Sequence, residues 1–235
     1  MKTLRIILWK EWTVMLHGYI RSVALFFIVI NGLAIYSTWT LLTPGVDSGR
    51  LASLMGNTTW FALYTGGGFI LLSMLSPVIA KEKYSGHVHN ELAYGISFSE
   101  IVFGKALFVT LLSLAELPVF AALFLLIQLF GSKTSMQPFL QMLPAALIVY
   151  PVLMFLMSSL VTLVDYTKPQ LSQVASIAAF GCGFVILSYT RSLIGAMLGM
   201  PVILSEVAPS VVLFPAVWLL FKVAERLPNS VLLKG

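Results

Sequence analysis

Charged residues in this chain fall in short clusters separated by long uncharged intervals, and that spacing limits the fold more than any motif does. Residues 22–46, 51–80, 134–164 and 169–190 carry no Asp, Glu, Lys or Arg. Residues 106–132 carry only Glu116, and 192–205 and 207–221 are shorter uncharged runs. A helix needs roughly 20 apolar residues to cross about 30 Å of hydrocarbon. The intervals predict an all-α, polytopic membrane protein with six spans, near 22–42, 59–80, 106–130, 140–164, 170–190 and 206–223. Composition agrees. Only 10% of the residues are charged, against about 25% in a soluble domain.

The cations orient the spans. With both termini in the cytoplasm, the inner segments hold Lys2, Arg5, Lys10, Arg21, Lys81, Lys83, Lys105, Lys168, Lys222, Arg226 and Lys234. The outer loops hold Arg50, Lys133 and Arg191. This asymmetry follows the positive-inside rule and predicts a multi-pass protein of the cell's inner (plasma) membrane. The net charge of +5 then reflects topology and contact with membrane lipid, and no nucleic-acid partner is expected.

The leader, 1–21, mixes Trp9, Trp12 and Tyr19 with basic residues. As a helix it places Leu4, Ile7, Leu8 and Met15 on one side and Lys2, Lys10, His17 and Arg21 opposite, which suits a helix lying in the membrane interface. Glu11 falls on the apolar side and breaks the pattern. Residues 43–58 and 131–139 are expected outer loops, and 165–169 a tight inner one. Residues 191–206 are too apolar for an aqueous loop and too short to cross. Interrupted by Gly195, Gly199 and Pro201, they are expected to dip into the outer leaflet as a re-entrant segment.

Between spans 2 and 3, residues 81–105 combine charge, histidine, glycine and helical spacing. Tyr84, Val88, Leu92 and Ile96 recur every fourth residue and predict one amphipathic helix over 81–96, lying flat on the inner surface. Gly95 is expected to break it. Ser97 and Glu100, in a Ser-x-x-Glu pattern, are expected to box the start of the next helix. His87 and His89 would point about 200° apart on a helix, so no metal site is expected from them.

The spelling of this segment, Lys-Glu-Lys-Tyr-Ser-Gly-His-Val-His-Asn-Glu-Leu-Ala-Tyr-Gly-Ile-Ser-Phe-Ser-Glu-Ile-Val-Phe-Gly-Lys, resembles the signature of type-2 ABC exporter permeases. The matching positions are Glu82, Lys83, Gly86, Val88, Leu92, Ile96, Ser97, Glu100, Ile101, Gly104 and Lys105, and Lys10-Glu11 is similar to a pair common in the family's leaders. His87, His89, Glu91, Gly95 and Phe98 depart from the family's spelling and leave the cargo open. The resemblance implies that 81–96 is a coupling helix docked on a separate ATP-binding-cassette ATPase, present in two copies. It implies a coupling surface drawn from Glu82, Lys83, Gly86, His87, Val88, Asn90, Glu91 and Leu92. It also implies an elbow helix over 1–21, a re-entrant segment over 191–206, and pairing with a second permease subunit as homo- or heterodimer. The expected cargo is a drug, peptide or lipid-like molecule leaving the cytosol or inner leaflet.

The sequence lacks a Gly-x-x-x-x-Gly-Lys-[Ser/Thr] phosphate loop. No cofactor is therefore expected in this chain, ATP and Mg being bound by the partner ATPase, and the chain is not expected to be an enzyme. Asp165 and Lys168 are expected to cap helix ends in the inner loop and to be able to touch the ATPase. Glu116, the one charge well inside a span, is either a polar contact in the translocation path or a protonated carboxyl bonded to a neighbouring helix. The rival readings are a haem-exporter-type permease of cytochrome maturation, an ion-coupled secondary transporter, for which no inverted repeat is visible, and an intramembrane enzyme, for which Glu116 stands alone.

Overall fold

A computed structural model describes residues 2–41, 75–118, 137–171 and 209–227, together with isolated positions between 122 and 207. Among the described residues the fold is helical, with no strand. Two helical stretches are long and apolar enough to cross a membrane, Phe98–Pro118 and Ala146–Thr167. A third is added if the first two helices, bent by 77° at their junction, count as one broken span. Much of the expected spans over 59–80, 106–130 and 170–190 lies outside the described residues, as does the expected re-entrant segment 191–206.

The helices are α1 (Lys2–Gly18), α2 (Ile20–Leu41), α3 (Ser76–Tyr84), α4 (His87–Ala93), α5 (Phe98–Leu114), α6 (Gln137–Thr167) and α7 (Ser210–Arg226). A 3-10 turn, Pro169–Leu171, follows α6. α5 packs along α6, α7 covers both, and α1 lies against α5. Phe103 of α5 stacks on Phe155 of α6 (5.7 Å between centroids) and on Phe221 of α7 (4.6 Å). Ile101, Val149, Leu153, Met154, Val161 and Leu213 are fully enclosed in the core. Within it, the hydroxyls of Thr110, Ser113, Ser158 and Thr162 donate to the carbonyl four residues earlier. Satisfied within their own helices, they cost the apolar core little.

Two local expectations meet a different geometry. The single helix expected over 81–96 is instead two: α3 ends at Tyr84, Gly86 adopts φ +74°, and α4 starts at His87. Only glycine takes that left-handed conformation without steric cost, and four-residue apolar spacing cannot register the reversal. Tyr84 therefore leaves the expected stripe and is 85% exposed, whereas Val88 is buried and Leu92 and Ile96 pack against the core. The loop expected to begin at Asp165 starts later, because α6 stays helical through Thr167.

The expected break and box are present. Gly95 has φ +79°. Ser97 Oγ accepts from the Glu100 amide and Glu100 returns a carboxylate to the Ser97 amide, at 2.9 Å. Ser97→Ala is expected to cost about 1 kcal/mol, read as a lowered unfolding midpoint of the purified protein.

Candidate functional site

Residues of α1, α3, α4, α5 and α6 meet in a largely buried cluster of charges. It reads as a chain of alternating sign, Glu91–Lys10–Glu82–Lys105–Glu11. Glu82 is its centre: Oε1 lies 2.7 Å from Lys10 Nζ and Oε2 lies 2.8 Å from Lys105 Nζ. Tyr166 donates its hydroxyl to the same Oε2 at 3.1 Å, and Lys83 Nζ donates to the Tyr166 carbonyl at 3.2 Å. Lys10 also pairs with Glu91, and Lys105 with Glu11. The Phe98 ring meets Tyr166 edge-on at 5.8 Å and helps close the apolar shell around the cluster.

Local sequence puts each member in place. Lys10 and Glu11 are adjacent on α1, so one faces α3 and α4 while the other faces α5. The inward face of α1 is Ile7, Glu11 and Val14 at helical spacing, which explains why Glu11 interrupts the apolar side. Gly104, one residue before Lys105, permits the close approach. A Cβ there would lie 2.6 Å from Ile7 Cγ2, closer than packed carbons come. The left-handed turn at Gly86 separates α4 from α3, and α4 brings Glu91 to Lys10.

Buried charges are tolerated only when paired and hydrogen-bonded, and the titration directions reflect that balance. Burial works to raise the Glu82 carboxyl, but Lys105 and Lys10 outweigh it and hold the group below the ordinary 4.5. For Glu11, burial outweighs the pull of Lys105, and the group sits above 4.5. Burial works to lower Lys10, yet Glu82 and Glu91 hold it above 10.5. Glu82 therefore stabilises the fold above its unfolded value, and that contribution is lost as pH falls through its depressed folded value. Glu11 has the opposite sign, adding stability as pH falls from its raised value toward 4.5. Glu82→Gln is expected to flatten the loss of thermal stability below about pH 4.5, measured as melting temperature against pH.

The residues singled out in the sequence separate by position. Glu82, Val88 and Asp165 are buried within this chain, Asp165 inside the last turn of α6 and not in a loop. Lys83, Gly86, Glu91 and Leu92 are partly buried. His87, Asn90 and Lys168 are exposed. Two aromatics flank α4 with 85% and 86% exposure, Tyr84, which the sequence placed on the apolar stripe, and Tyr94, which it did not single out. Also passed over as a site were Lys10, Glu11, Lys105 and Tyr166, although the position of Glu11 on an apolar face was a usable signal. Glu116 is fully buried beyond the C-terminal end of α5, with neither carboxylate oxygen hydrogen-bonded among the described residues. No group of three or more His, Cys, Asp or Glu there is placed to hold a metal ion.

No family model, no curated protein and no solved structure matches the chain.

Proposed function

We propose that this chain is the membrane-spanning permease of an ATP-driven exporter, and that α4 with its flanking tyrosines is the surface gripped by a separate ATPase subunit. In this reading six spans cross the inner membrane, both termini lie in the cytoplasm, α1 rests in the interface as an elbow, and two permeases work with two ATPases. The supporting observation is a convergence. Four of the six charged positions that carry the family resemblance (Lys10, Glu11, Glu82 and Lys105) meet in one largely buried cluster, which Glu91 ties to α4.

That geometry gives the proposal a mechanism. His87, Asn90, Tyr84 and Tyr94 are the exposed side, and tyrosine is a frequent binding hot spot. Val88 and Glu91 are the inner side, one in the core and one paired to α1. A push on α4 from ATP-driven closure cannot be absorbed locally. It passes through Lys10 to α1 and through Glu82 to Lys105 on α5 and Tyr166 on α6. Packed helices shift as units between discrete arrangements, so the cleft between spans would switch from inward- to outward-facing. The cargo class follows from the family reading: hydrophobic or amphipathic, taken from the cytosol or inner leaflet.

The test is co-purification with an activity readout. Tagged protein from native membranes should retain vanadate-sensitive ATP hydrolysis. The double variant Asn90→Ala/Tyr94→Ala should retain at least about 30-fold less at equal abundance, the loss of a hot-spot contact. If the wild type retains no such activity, or the variant retains as much, the assignment fails.

A further inference from the structure

Beside the charge cluster, the junction of α1 and α2 encloses an open cleft of about 660 Å³ against the end of α3. Its lining includes Lys10, His17, Lys81 and His87, together with Ser85, whose hydroxyl donates to the Glu82 carbonyl. One carboxylate, Glu82, reaches the cleft, and its charge is already met by Lys10 and Lys105. Lys81, His17 and His87 are exposed and take no part in the buried chain of ion pairs. His17 is oriented by its Nδ1, which lies 2.8 Å from the Thr13 carbonyl and so donates to it, leaving Nε2 to donate to an anion when the ring is protonated.

The floor is different in character. Val14, Tyr19 and Val78 line it, and apolar lining beside the exposed Lys81 matches a molecule with an anionic head and hydrocarbon chains. Trp9 and Trp12, exposed on the same helix, belong at headgroup level. The cleft opens where the chain turns by 77° from α1 into α2. Its volume lies within the range of small-molecule sites, about 300–1,000 Å³.

We infer that this cleft binds the phosphodiester headgroup of an anionic glycerophospholipid from the leaflet in which α1 lies, with its acyl chains leaving over Val14 and Val78. The bound lipid would fix the angle between α1 and α2 from outside, as the ion cluster fixes α1 from inside. This inference rests on membrane embedding and not on the exporter reading.

The full-length protein in detergent micelles, titrated with phosphatidylglycerol or phosphatidylcholine and read by native mass spectrometry, tests it. Phosphatidylglycerol should be retained in preference. Lys81→Gln should weaken it about fivefold, the effect of one surface cation on an anionic lipid. The pair His17→Gln/His87→Gln should also weaken it, whereas Arg5→Gln, the same charge change elsewhere on α1, should shift it less than twofold. Equal retention of the two lipids would overturn the inference. So would an equal loss in Arg5→Gln, which marks diffuse attraction, or full displacement by millimolar inorganic phosphate, which marks a site for a free anion. Unchanged binding in both cleft variants would overturn it as well.

Discussion

Replacing Lys105 with methionine should destabilise this protein by about 3–5 kcal/mol, the cost of removing one partner from a buried ion pair. The methionine keeps most of the stem volume, so packing is nearly preserved and the loss is electrostatic. Lys105 is 1% exposed and touches two carboxylates, and its removal leaves Glu11 with no cation at contact distance among the described residues. Glu82 keeps Lys10. The double variant Lys105→Met/Glu11→Leu should recover a large part of the loss, because an apolar pair of similar volume replaces a desolvated ionic one. Unfolding of the four proteins of this cycle in mild detergent measures the coupling. Additive losses would mean that Glu11 and Lys105 do not act as a pair.

The second large effect concerns the position before it. Gly104→Val should cost at least about 1–3 kcal/mol, the usual price of overpacking a filled site. A side chain there meets Ile7 Cγ2 at 2.6 Å and Ile7 Cβ at 3.1 Å, so α1 must move off α5. Moving α1 also stretches its three ion pairs, which ties the steric insult to the charge cluster. Ile7→Ala removes the nearer obstruction and should restore part of the stability in the double variant. If Gly104→Val melts like the wild type, α1 does not pack on α5 as described.

What could be read in the sequence was what is local. The Ser97 and Glu100 box and the Gly95 break were legible because cap chemistry and turn glycines act within four residues. The helical, apolar character of 98–118 and 146–167 was legible from hydropathy. The break at Gly86 was not, since Val88, Leu92 and Ile96 keep helical spacing on the far side of a reversal that leaves the apolar period intact. The extension of α6 over Asp165 was missed because a charge after an apolar run looks like a span end. The cluster itself was illegible as a cluster. Several of its contacts join residues 81 to 94 positions apart, and nothing in one sequence announces which lysine meets which glutamate. Glu11 on an apolar face was the visible trace: a carboxylate on a buried face needs a cation, and Lys105, set in apolar sequence, was the matching anomaly.

The central claim is that α1 and α4 are clamped to each other through Lys10. Pulsed electron paramagnetic resonance tests it most directly, with spin labels on Arg5→Cys and Asn90→Cys, both exposed positions, in a Cys182→Ser background. A single narrow distance distribution is predicted for this protein, broadening when Lys10→Met is added. A broad distribution with Lys10 intact, or a narrow one that survives its removal, would contradict the clamp.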